Sequence, residues 1–109
     1  MGDPTCAAAV IADRTVYLSH HAGGFEVADP AHQARAALEA MRATMAAAGG
    51  ELADVVQIHV YLADVAHLRA VCDVVGEAFG DGPPARMTST SAFVDARCLV
   101  QVDGVAVLP

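Results

Sequence analysis

A chain of 109 residues suits one domain spanning 1–109, with little room for a second core. Thirteen acids against six arginines and no lysine give a net charge of −7; a phosphate backbone is held mainly by clustered Lys and Arg, so nucleic-acid binding is disfavoured. Apolar residues make up 55% of the chain, yet no run approaches the roughly 18 residues of a membrane span, and the opening MGDPTCAAAV carries acid where a secretory signal carries base, so a cytoplasmic location is the default expectation.

Segments Cys6–Ala12 and Thr15–Ser19 flank Asp13-Arg14, a short polar turn, and read as a β-hairpin. HHAGGFEVADP then reads as a loop with glycines near its middle. Asp29-Pro30 starts a helix, an N-cap side chain followed by proline at the first helical position. That helix is predicted to run to about Ala48 and to stop at Gly49-Gly50. Its apolar stripe is Ala34, Ala37, Leu38, Met41, Met45 and Ala48.

From Asp54 to Leu62 the pattern alternates. Val56, Ile58, Val60 and Leu62 share one face, while Gln57, His59 and Tyr61 share the other. Asp64 caps a second predicted helix with the stripe Leu68, Val71, Cys72, Val75 and Phe79, ended by Gly80 and kept from continuing by Pro83 and Pro84. Two strands follow, about Arg86–Val94 and Cys98–Val107, joined by a turn containing Asp95. Cys6, Cys72 and Cys98 are odd in number and widely spaced, which supports neither a disulfide framework nor a zinc knuckle; Cys72 and Cys98 read as small core residues.

The order β-β-α-β-α-β-β places two helices on one face of one sheet, an α+β architecture. The other face carries His59 and Tyr61 with aliphatics, and a face of that kind needs a partner, so a homo-oligomer with sheets packed at its centre is expected.

Five of the six arginines have an ordinary explanation in nearby acids. Arg14 stands beside Asp13, Arg35 and Arg42 bracket Glu39, Arg69 precedes Asp73, and Arg97 follows Asp95. Arg86 has no acid within four residues, and Pro83-Pro84 stiffen the backbone that leads to it. The pattern alone leaves two readings: a strand-end arginine that is solvated or paired at a distance, or a guanidinium presented to a carboxylate through a bidentate bond.

The triplet Pro84-Ala85-Arg86 behind a helix ending GEAFG, with AVIADRTVYLS, ALEAMRATMAAAGGELADVVQIHVYLAD and LVQVDGVAV elsewhere, resembles the Rid family of reactive intermediate deaminases, also called the L-PSP endoribonuclease family. The resemblance extends over most of the chain. It implies a chorismate-mutase-like fold and a homotrimer with a central barrel and sites in the clefts between subunits. It further implies that Arg86 binds the carboxylate of a small imine or enamine substrate such as a 2-imino acid, with imine hydrolysis as the reaction. With Arg86, Cys6, Ser19, Thr88 and Asp103 make up the candidate substrate-binding set, and no cofactor is expected.

The chain departs from the family pattern where the chemistry would sit. A glutamate on the family's last strand aligns with Gln101, which can hold a water but cannot take its proton. Asp103 lies on the same strand face, about 7 Å further along. A family tyrosine aligns with Cys6, and a glycine aligns with His20. His20 is a candidate proton-transfer group; since neighbouring strand residues point to opposite faces, at most one of His20 and His21 should enter the cleft. The five histidines lack HxH or HExxH spacing, so no metal site is expected. These departures leave open a redirected Rid-fold enzyme in a biosynthetic pathway (isomerisation, dehydration or cyclisation) and a ligand-binding trimer without turnover.

Overall fold

A computed structural model describes residues 4–109; Met1, Gly2 and Asp3, which include the acid of the N-terminal stretch, lie outside the described residues. Asp13 adopts φ 54°, a left-handed value that Asp tolerates better than bulkier residues, and closes the two-residue turn between β1 (Ala9–Ala12) and β2 (Thr15–His21). The predicted hairpin forms, but β1 begins at Ala9, so Cys6 lies ahead of it and is exposed.

Helix α1 (Pro30–Ala47) starts as the sequence requires: Asp29 accepts the His32 N–H at 2.8 Å, with Pro30 behind it. It ends in a Schellman pattern, Gly50 N–H to Met45 O and Gly49 N–H to Ala46 O, with Gly49 at φ 90°. Its stripe is buried from Ala34 to Met45, while Ala48, the C-cap, is only half-buried; the fully buried Gln33 is an addition. A 3-10 turn leads into β3 (Val55–Leu62). Asp64 caps a second such turn, Val65–His67, that runs into α2 (Leu68–Phe79). This helix buries Val71, Val74 and Val75, while Leu68 stays 38% exposed because it sits at the first turn, beyond the edge of the core.

Strands β4 (Ala85–Thr90) and β5 (Val100–Val107) complete a sheet of order β1-β2-β5-β3-β4. β4 pairs parallel to β3 and all other pairs are antiparallel, so the sheet is mixed. β4 is shorter than predicted because its partner β3 ends at Leu62; beyond Thr90 only Ser91 N–H still finds Leu62 O, and residues 91–99 form a loop.

Both helices lie on one face: α1 crosses β5 and β2 and packs beside α2. The covered face contributes Val16, Leu18, Ile58, Val60, Leu62, Val100, Val102 and Ala106, all buried. Fully burying each large aliphatic side chain contributes about 1.5–3 kcal/mol. Val56 does not join them. The β3–β5 ladder steps from Val55↔Ala106 to Gln57↔Val105, so Val56 bulges out at 49% exposed and Val55 takes the inward place. At Gly104 the ladder is so tight that a Cβ would stand 2.5 Å from Gln57 O.

Candidate active site

A bulge at the end of β2 builds the site. Leu18 pairs with Gly104 and His21 with Val102, so Ser19 and His20 together oppose Asp103. The extra residue turns His21 inward and leaves His20 exposed. His21 is 6% exposed and held at both ring nitrogens, Nδ1 to Ser19 O at 2.7 Å and Nε2 to Thr44 Oγ1 at 2.8 Å. Because a carbonyl only accepts, Nδ1 carries a proton. Ser19 Oγ donates to Ala8 O at 3.0 Å, which ties the chain ahead of β1 to β2.

His20, Val94 and Gln101 stand between two adjoining open depressions of about 450 and 400 Å³. The first reaches Phe25, Thr44 and Asp95, and His21 forms part of its wall. The second reaches Tyr61, Phe93 and Asp103. The fold thus brings together three of the sequence-predicted residues, His20, Gln101 and Asp103.

The loop walls are pinned. Asp95 accepts from Arg97 Nε at 3.1 Å, Arg97 NH2 at 2.8 Å and Arg97 N–H at 2.9 Å. These bonds hold the Asp95 carboxyl down at about 2. The same guanidinium lies 5.4 Å from the Phe25 ring centroid, joining the 91–99 loop to the 22–29 loop. Gln33 locks both from below: its Nε2 donates to Val27 O and Arg97 O, each at 3.1 Å, and its Oε1 accepts Leu99 N–H at 2.8 Å. Sequence reasoning missed Gln33, since a polar residue in a first helical turn is ordinarily solvated.

Asp103 is also held. One oxygen accepts from His59 Nδ1 at 2.8 Å and the other from Tyr61 OH at 3.0 Å. The carboxylate raises the Tyr61 pKa, with burial adding to it, so the phenol remains a donor at neutral pH. His59 and Tyr61 rings stack at 6.3 Å.

Arg86 lies elsewhere in the chain. It pairs with Ile58, so it shares the helix-side face at the exposed edge strand. Gln101 pairs with Tyr61, and Tyr61 with Ser89, all on the opposite face. Arg86 is therefore two strands across and three residues along from Gln101, about 10 Å in each direction, and turned the other way. Thr88, half-buried, follows Arg86 on that face. Cys6 lines neither depression. Among the described residues, four arginines pair with acids and Arg14 and Arg86 do not. Arg35 takes Glu77 of α2 at 3.7 Å in place of the expected Glu39, because the packed helices bring that acid alongside. Burial raises the Cys98 pKa, as befits a core thiol. No group of three or more metal-ligating side chains is gathered among the described residues, and no helix there is long and apolar enough to cross a membrane.

The family model for endoribonuclease L-PSP matches residues 6–108. The chain belongs to the L-PSP endoribonuclease family, the Rid family. Its fold agrees: a YjgF/YER057c/UK114 family member from Mycobacterium tuberculosis is 30% identical at TM-score 0.87, covering 96% of this chain and 88% of that one. RidA from an Antarctic Psychrobacter is 26% identical at TM-score 0.87, covering 99% and 92%. The 3-aminoacrylate deaminase RutC of Acinetobacter baylyi is 35% identical over 80 residues, 73% of this chain and 64% of that protein. Across the first curated relatives, the match spans 59% to 64% of their own length.

Proposed function

We propose that this L-PSP family chain is an imine deaminase: it hydrolyses the C=N bond of a small carboxylate-bearing imine, or the tautomeric enamine, in a cleft between two copies of the chain. The observation that carries the reading is Arg86, exposed and without an acid partner among the described residues, in a chain where four of six arginines are paired. Its guanidinium would hold the substrate carboxylate through two parallel bonds, with Thr88 beside it. Gln101 and His20 of a neighbouring copy would hold the attacking water against the C=N carbon. A homotrimer with its open sheet faces turned inward suits this arrangement, since it would bring an Arg86 edge against a neighbour's depressions. Such a cyclic assembly would repeat the same site at each interface. The RutC relative's activity on 3-aminoacrylate supports the substrate class. RNA is a poor candidate substrate for a chain of net charge −7 without a lysine.

The test is hydrolysis of iminopropanoate generated in situ by wild type, Arg86→Ala and Gln101→Glu. Wild-type turnover that falls roughly 100-fold or more in Arg86→Ala is expected from loss of a positioning charge pair. Activity only in Gln101→Glu would favour a redirected enzyme on the same scaffold. Silence in all three would contradict deamination and leave a different substrate or a binding role.

A further inference from the structure

We infer that Asp103 is the proton acceptor of this site, oriented by Tyr61 and His59. The inference rests on the proposed hydrolysis and adds to it the group that activates the water.

Attack of water on a C=N carbon requires a base, and Gln101 cannot serve. Two other groups in the second depression can accept a proton, His20 and Asp103. His20 is exposed and has no hydrogen-bond partner among the described residues, so nothing fixes its ring. Asp103 is fixed by one donor on each oxygen, at 2.8 and 3.0 Å, and its side chain is 28% exposed. A carboxylate has about four lone-pair sites, so two remain for a water. Gln101 stands two residues away on the same strand face and lines the same depression, where its amide can fix the other side of that water. Tyr61 and His59 act through Asp103: each donates to one oxygen of the carboxylate and holds it in place, so both are positioning residues.

The step balances without a further reactant. Asp103 takes one proton from water as the oxygen bonds to the imine carbon. The C=N π pair moves to nitrogen, which takes a proton from solvent. Collapse of the resulting carbinolamine forms a C=O bond and breaks the C–N bond. Asp103 returns its proton to the departing nitrogen, the hydroxyl proton passes to solvent, and ammonia leaves.

Steady-state imine hydrolysis tests this in wild type, Asp103→Asn, Tyr61→Phe and the double variant Asp103→Asn/Gln101→Glu, with folding checked by circular dichroism and melting. Asp103→Asn should lower kcat by roughly 100-fold or more with KM little changed, the loss expected for a general base. The double variant should regain at least about tenfold of that kcat, since a carboxylate returns to the same depression. Tyr61→Phe should lower kcat by about tenfold at unchanged melting temperature, because the base loses one of its two anchors. A wild-type-like kcat in Asp103→Asn, a loss confined to KM, or a double variant no better than the single would overturn the role. Should Asp103→Asn fail to fold, an undiminished kcat in Tyr61→Phe overturns it instead. Wild-type protein without any imine turnover overturns both this role and the deaminase reading; turnover that ignores these substitutions overturns this role alone.

Discussion

The two faces of the sheet are built from alternate residues of the same strands and have opposite characters. Under the helices, Ile58, Val60, Val100 and Val102 exclude water and make no polar bonds through their side chains. On the reverse, His59, Tyr61, Gln101 and Asp103 occupy the intervening positions, and three of them are bonded into one network around a carboxylate. The covered face stabilises the fold through apolar area, whereas the open face holds polar groups in defined positions that burial alone would not fix. A period of two residues thus separates stability from chemistry on the same strands.

Neighbouring substitutions sharpen that contrast. Ile58→Ala should cost about 2–5 kcal/mol in urea denaturation, as a cavity in a packed core. Gln57→Ala, one residue away and exposed, should stay within about 0.5 kcal/mol. Equal costs would break the division between faces. Gln33→Leu is next in size: it strands Leu99 N–H, Val27 O and Arg97 O, and should cost about 1–3 kcal/mol. It should also speed amide exchange at Leu99, where unchanged protection would show that the loops are held otherwise.

The smallest effect concerns acid. With its folded pKa lowered to about 2, Asp95 contributes stability above its ordinary carboxylate range, and that contribution is lost as pH falls toward 2. An NMR titration should place its midpoint near 2. In Arg97→Gln the midpoint should move up toward the ordinary range, and an unmoved midpoint would remove Arg97 as the cause.

Much of the architecture is legible in local pattern. Asp29-Pro30, Gly49-Gly50 and the Asp13-Arg14 turn act through their own backbone, so nearby residues suffice to read them. Register is different. Nothing in the β3 pattern signals that Val56 bulges out, because the offset depends on how β5 pairs with it at Val105 and Ala106. The parallel pairing of β4 and the β2 bulge that separates His20 from His21 are likewise set by partner strands. Gln101 and Asp103 were readable as a shared strand face, but the donors to Asp103, His59 and Tyr61, come from β3, more than forty residues away. Gln33 carries no local signal, since its partners are backbone groups of two distant loops.

The most direct test of the shared cleft is complementation between two disabled chains. Arg86→Ala and a Gln101→Trp variant, which fills the depressions, would be co-refolded and assayed for imine hydrolysis against each protein alone. A cleft that takes Arg86 from one copy and Gln101 from its neighbour should regain activity in the mixture, because some interfaces then combine two intact halves. A mixture as inactive as its components, with mixed assembly shown by native mass spectrometry, would contradict a site shared between copies.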